Sequence, residues 1–403
     1  MKRYAIATFW SAVFAAALCA VSCSKEPSDE PAGPQEDVRV VFTVNRDAAV
    51  SRADARRSGG TISSGQKVDK LICGVYDTSG KLLRQFGEAY GDEHGQQYTN
   101  EHGQIVFSDI AEWPVDVDLT LVRNQTYNIV FWAQSGACTA YDTSDLTGVT
   151  VSYAGANNDE LRDAFCKTEI FSTVSAGGVS GGQMTPDGRV SRNVVLRRPF
   201  AQINVGSTFE AFEAAKEAGY EIVKSQIKIM DAATRLNVLQ NTVDVFDADG
   251  NYLETPSETV TFTFATIPAY INGQGAAEEV LYADLLYDKL EVSEFKYLSM
   301  CYVLAADKNV GTSSYADDVA LDISFEYADG STFTINHDDM YNGSGVGLDK
   351  VPIQRNWGTN AIFSDYEMLY PSGAITPGGA GNSSSVRAGG MHVAMASAGL
   401  SQE

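Results

Sequence analysis

Short β-prone runs recur along most of this chain, and glycine or aspartate stops one after another. VRVVFTVN at 38–45, VDVDLTLV at 115–122 and TYNIVFWA at 126–133 belong to the first half; 259–265, 297–305 and 319–327 belong to the second. In the 115–122 run Val115, Val117, Leu119 and Leu121 alternate with Asp116, Asp118 and Thr120. Successive strand residues point to opposite faces, so this run has one dry face and one wet face. Strands at such spacing with Gly and Asp turns predict an all-β chain with minor helices, built as antiparallel β-sandwiches. At 403 residues with 44% apolar content, there is material for two separate cores.

The seam between them is RNVVLRRPFAQINV at 192–205. Pro199 has no N–H to give a ladder, so one strand-rich segment closes before it and a second opens after it. A helix signature follows, with Ser207 as the expected cap, Glu210 three residues on and Gly219 as the stop. Phe209 and Phe212 are expected to share a face at i, i+3. The predicted boundaries are a leader at 1–22, a disordered tether at 23–37, β-sandwiches at 38–198 and 199–370, and a flexible Gly/Ser-rich tail at 371–403.

The leader has Lys2 and Arg3, an apolar centre from Ile6 to Leu18, and Ala20-Val21-Ser22 before Cys23. The apolar run is too short for an ordinary membrane span. Small residues before a cysteine, followed by SKEPSDEPAGPQED, resemble a bacterial lipobox, which implies cleavage before Cys23 and lipidation of its thiol. The plainer reading is secretion with Cys23 an incidental thiol. Cys73 and Cys301 fall in apolar runs as small buried hydrophobes, while Cys138 and Cys166 either pair across a loop or stay reduced. A formal charge of −23 argues against a nucleic-acid partner, because phosphate binding needs clustered Lys and Arg.

Signals for chemistry are sparse. The histidines (His94, His102, His337, His392) fit no metal-ligand spacing, and no cofactor is expected. His337-Asp338-Asp339 reads as a solvated turn, since neighbours in a strand face opposite ways. The glycine pairs at 177–182 fit neither a dinucleotide fingerprint nor a P-loop. Asp247 to Asn251 lacks two ligand positions of a calcium loop and reads as a hairpin turn. Residues 134–188 read mainly as loops with a short helical stretch near 159–165. No enzyme is expected; a glycosidase would need facing carboxylates that no spacing here demonstrates.

Five stretches carry a resemblance when taken in order: the leader, VVFTVN followed by an Arg-bearing segment, LTLVRNQTYNIVFWA with DAFC downstream, VLRRPFAQINVG, and VPIQRNWGTNA. Together they resemble the fimbrillins, the type V pilus subunits of Bacteroides-type bacteria, over roughly residues 38–370. The resemblance implies two tandem transthyretin-like antiparallel sandwiches, an outer-membrane lipoprotein at the cell surface, and a structural role in adhesion. It also implies that an Arg-specific protease removes the N-terminal strand so that another subunit's C-terminal strand fills the gap, with Arg46 or Arg52 as the cut. Without the resemblance, the Arg46–Arg57 segment reads as an ordinary exposed linker. Partners would be other subunits or copies of itself by strand addition, the membrane through the lipid, and a host or bacterial surface ligand. The Gly/Ser-rich end departs from the family pattern. Either 359–370 or HVAMASAGL is the donor strand, or the chain is a non-polymerising surface lipoprotein that binds glycans or another surface ligand.

Overall fold

A computed structural model describes residues 37–46, 65–83, 96–154, 160–173, 183–184, 190–243, 245–246, 252–253, 257–264, 283–284, 291–292, 295–305, 317–355, 357–377 and 391–397. Cys23, Arg52, the glycine pairs at 177–182 and the 247–251 turn lie outside them. The described residues form one compact unit.

The strands that build the N-terminal sheets are β1 (Asp37–Arg46), β2 (Lys70–Tyr76), β3 (Gln96–Thr99), β4 (Ile105–Ser108), β5 (Val115–Val122), β6 (Thr126–Gln134), β7 (Ala164–Ser172), β8 (Gln183–Met184) and β9 (Val190–Leu196). They make one sheet in the order β8-β9-β1-β5 and another in the order β3-β4-β2-β6-β7. The inward residues of both sheets form a shared core in which Val40, Phe42 and Val44 meet Phe131 and Phe171. In β5 the expected alternation is present, with Val115, Val117, Leu119 and Leu121 all buried.

The C-terminal sheets use β10 (Phe200–Thr208), β11 (Ile222–Ala233), β12 (Ser257–Phe264), β13 (Phe295–Leu304), β14 (Leu321–Tyr327), β15 (Thr332–Ile335), β16 (Trp357–Phe363) and β17 (Met391–Ser397). Their orders are β13-β10-β16-β17 and β12-β11-β14-β15. Every residue of β10 is buried, because this strand is covered on both faces. Among its polar members, Gln202 Nε2 donates to Asn204 Oδ1 at 2.8 Å. A second core joins the outer faces of β2 and β6, through Ile72, Tyr76, Val130 and Trp132, to Phe200 and the C-terminal sheets.

The chain is thus all-β with minor helices, as the strand spacing predicts, and among the described residues its pairing is antiparallel apart from the parallel contacts of β1 with β9 and β10 with β16. Other expectations need correction. Among the described residues of 134–188, where mainly loops are expected, β7 runs nine residues and a 3-10 turn at Glu160–Arg162 is the helical part. Lys167 and Glu169 interrupt the apolar pattern of β7, but they pair with each other at 2.6 Å and Glu169 also binds Arg192 at 2.9 Å. The tail also contributes strand. Ile375–Thr376 pairs with Met340–Tyr341, and β17 pairs with β16 from Trp357↔Ser397 to Phe363↔Met391.

The helix α1 spans Phe209–Glu217, capped by Thr208 rather than Ser207, with Thr208 Oγ1 accepting from the Ala211 N–H at 3.2 Å. Phe212 is buried, whereas Phe209 is 37% exposed, so the two rings do not share a buried face. Phe209 is the first helical residue, where the chain is still turning out of β10. Gly219 ends the helix at φ +95°, donating to Lys216 O, while Tyr220 N–H reaches Ala215 O. This pair of bonds is the Schellman stop that a left-handed glycine permits.

The thiols of Cys73 and Cys301 are buried, and burial raises both well above the ordinary range. No disulfide joins Cys138 to Cys166. Alkylation of the native protein is expected to spare Cys73 and Cys301 until denaturant is added, since only the exposed thiolate reacts. Mass spectrometry of labelled peptides checks this; native labelling of either residue would contradict its burial.

Candidate functional site

The strand β1 is the most unusual element in its surroundings. Val38, Val40, Phe42 and Val44 recur at every second position, and the last three are fully buried. Such a β-branched and aromatic run favours strand geometry and presents one continuous apolar edge. Phe42 lies 5.8 Å from the Phe131 ring and 5.4 Å from Phe171, the latter edge-on at 74°. Both rings belong to the opposite sheet, so Phe42 bridges the sandwich.

On either side the backbone is occupied. Antiparallel pairing with β5 runs from Asp37↔Val122 to Val44↔Val115. Parallel pairing with β9 runs from Val40↔Val190 to Arg46↔Leu196. Taking β1 out would separate β5 from β9 and open a slot lined by Val115, Val117, Leu119, Val190 and Val194, floored by Phe131 and Phe171. Burial of Val40, Phe42 and Val44 supplies about 1.5–3 kcal/mol per side chain, so an empty slot is not a stable state. The outward face adds polar register marks. Arg39 forms a two-point pair with Asp118, at 3.2 and 2.7 Å, and Thr43 Oγ1 donates to Asp116 at 2.7 Å.

Arg46 ends the strand. Its Nη1 donates to Val68 O at 2.9 Å, the same carbonyl that accepts from Trp113 Nε1 at 3.1 Å, and its guanidinium lies 5.4 Å from the Trp113 ring. Burial pulls its pKa below the usual arginine value, and the Asp163 carboxylate acts in the opposite direction. Asp163 is itself bound by Arg198, Nε to Oδ1 at 2.8 Å and Nη2 to Oδ2 at 3.0 Å, with side chains 1% and 5% exposed. Arg198 also lies over Phe165 at 4.6 Å. The Asp163 carboxylate thus pairs directly with Arg198 and acts on Arg46 electrostatically. Sequence reasoning placed Arg46 but missed this buried pair; the doubled arginine before Pro199 was its only trace.

Other expected positions are scattered. His337 is not a solvated bystander: its Nδ1 and Asp322 Oδ1 are hydrogen-bonded at 2.8 Å, and its backbone N–H donates to the same oxygen at 3.0 Å. Burial pushes the Asp322 carboxyl up, but these bonds and Lys228 outweigh it and hold the group below its ordinary value. Asp339 is only 2% exposed and accepts from the Asn336 N–H at 2.8 Å, so this turn is a folded structural feature. His102 lies in an exposed turn. Among the described residues no group of three or more His, Cys, Asp or Glu could hold a metal ion. No helix of the described residues is long and apolar enough to cross a membrane.

Comparison with solved structures returns distant likenesses. The tip fimbrial protein Mfa3 from Porphyromonas gingivalis, truncated at its C-terminus, matches at 11% identity and a TM-score of 0.37, over 90% of this chain and 99% of that one. A candidate polysaccharide-binding protein from Bacteroides thetaiotaomicron matches at 13% identity and 0.38, over 84% and 97%. A candidate cell adhesion protein from Bacteroides eggerthii matches at 10% identity and 0.39, over 90% and 96%. At these values no activity or ligand passes from those proteins to this one. No curated protein matches the chain. Residues 32–362 match a family of unknown function, DUF6562, and because that match spans most of the sequence the chain belongs to this family.

Proposed function

We propose that the chain is a non-enzymatic structural subunit of a surface fimbrium, exported as a lipoprotein through Cys23 and assembled by exchange of β1. The supporting observation is the position of β1. An N-terminal strand sits between two strands from elsewhere in the sequence, contributes the aromatic centre of the N-terminal core, and leads into the arginine-bearing segment after residue 46. A strand supplied by a second molecule would restore the same backbone bonds and the same alternate-residue pockets. Such a joint is heterologous and does not close, so it propagates a filament. Before exchange, β1 keeps two strand edges covered that would otherwise invite uncontrolled pairing.

Arg46 is the less suitable of the two cutting positions. A protease needs an extended, accessible segment, and Arg46 is paired in a strand and anchored at Val68 and Trp113. The cut is therefore assigned to Arg52, which leaves β1 seated but no longer tethered. The tail's ability to pair as a strand with β16 makes HVAMAS the proposed donor in preference to residues 359–370, whose first five residues already belong to the internal strand β16.

The test replaces Arg52 with a recognition sequence for an unrelated site-specific protease. Cutting is expected to convert monomer into ladders that resist detergent without heating, and an excess of synthetic VRVVFTVNR peptide is expected to suppress them. Cut protein that stays monomeric with its β1 fragment permanently retained would defeat the exchange mechanism.

A further inference from the structure

At the end of β10 remote from the seam, the molecule carries an aromatic surface that the fimbrial reading does not use. In the parallel pairing of β10 with β16, Ser207 is level with Phe363. Two residues beyond Ser207 comes Phe209; three beyond Phe363 comes Tyr366. Both rings thus emerge from the same end of adjacent strands, and α1 packs against the 3-10 turn at Tyr366–Met368. Tyr366 is 40% exposed and Phe209 37%, which places both among the exposed large hydrophobic groups of the described residues.

Tyr366 is backed by other tyrosines. Tyr370 lies 5.9 Å away with its plane tilted by 33°, and Tyr220 stacks on Tyr370 at 4.6 Å with the planes 1° apart. Tyr327 meets Tyr220 edge-on at 5.2 Å and anchors the group, its hydroxyl donating to Leu369 O at 2.7 Å. The rigidity has local causes. Tyr220 is fixed by the Schellman stop of α1, and Asp365 holds the turn by accepting from the Glu367 N–H at 3.0 Å and from the Tyr341 hydroxyl. Ser372 Oγ closes the far side by donating to Glu367 O at 3.0 Å.

We infer that this surface is a binding platform for an uncharged hexopyranose chain, with Tyr366 as its stacking ring and Glu367 as an acceptor for sugar hydroxyls. Tyr220 and Tyr370 are parallel and Tyr366 is tilted from Tyr370 by 33°, an open arrangement that argues for a flat ligand on the exposed Tyr366 ring. A quaternary or alkylated ammonium is held by rings set as walls around it, whereas here Tyr220 and Tyr370 stack on each other and Tyr366 leans on Tyr370 at 33°. The flat C–H face of a pyranose has the complementary shape, and a tyrosine presents a large apolar face at small cost in side-chain order. Asp365 and Glu367 border the rings, so a sialylated or sulfated sugar is repelled while hydroxyl donors are welcomed. This platform is distinct from the β1 slot and stands whether or not the chain polymerises.

The test uses the full-length protein and a panel of neutral maltose-, cellulose-, mannose- and galactose-type hexasaccharides, with tetramethylammonium and sialyllactose as the charged comparisons. Saturation-transfer NMR is expected to show contact between aromatic protons and at least one neutral oligosaccharide. Tyr366→Ala is expected to weaken that binding about tenfold or more, and Tyr366→Trp to retain it, with the melting temperature of each variant separating loss of the ring from loss of the fold. Silence across the neutral panel, unchanged affinity in Tyr366→Ala, or preference for either charged probe would overturn the assignment. Detergent-resistant ladders are expected to be unaffected by Tyr366→Ala, so loss of sugar binding and loss of assembly separate cleanly.

Discussion

Phe42→Ala is expected to destabilise the uncut protein by about 3–5 kcal/mol, measured by urea unfolding followed through tryptophan fluorescence. The ring has no exposed surface and contacts aromatic rings contributed by two different strands of the facing sheet. Removing it leaves a cavity that rigid neighbours cannot fill, so both transfer and cavity contributions are lost. Arg39→Ala is the matched control on the same strand. Its pair with Asp118 is solvent-screened, with side chains 49% and 20% exposed, and such pairs contribute about 0–1 kcal/mol. The contrast carries to assembly: after a cut at residue 52, the β1 fragment of Phe42→Ala is expected to leave faster and ladders to form sooner. Equal stabilities for the two variants would mean that β1 is held by its backbone alone.

How much of this was legible in the sequence depends on the range of the interaction. The alternation of Val115 to Val122 reports burial directly, because each residue's face is set by strand geometry alone. VRVVFTVN is likewise legible as a strand. Its parallel partner at 190–196 is not, since nothing local to either run encodes a pairing about 150 residues apart in sequence. The missed strand β7 has the same explanation in another form. Lys167 and Glu169 look like solvent-facing loop residues until Arg192, brought from β9, gives the carboxylate its second partner.

The candidate surfaces divide in the same way. Arg46 could be named from the run of arginines, but its anchorage to Val68 and Trp113, which bears on whether it can be cut, is tertiary. Tyr220, Tyr366 and Tyr370 are spread across 150 residues and carry no spacing signal. Aromatics in β chains are mostly core, and this group is visible only once α1 and the 366–368 turn are seen to meet. The tail was misread because composition reports average flexibility, whereas a seven-residue segment needs only one open edge to become a strand.

Breaking the buried pair at the seam is expected to have the other large effect. Asp163→Ala removes the carboxylate that holds the buried Arg198 guanidinium at two points, a change that costs about 3–5 kcal/mol in comparable sites. It also removes the negative charge that offsets the burial of Arg46, so the end of β1 should loosen along with the seam. The double variant Asp163→Leu, Arg198→Met removes both charges at similar volume and is expected to recover much of the loss, because two desolvation penalties disappear together. A double-mutant cycle on thermal or urea stability gives the coupling, and hydrogen exchange at the Val44 and Asn45 amides reports whether β1 shares in it. If Asp163→Ala unfolds the seam but leaves exchange in β1 unchanged, the cluster secures the junction at Pro199 only. If both loosen together, the strand to be exchanged and the joint between the two sheet systems are held by the same aspartate, and the barrier to releasing β1 is set partly outside the slot it occupies.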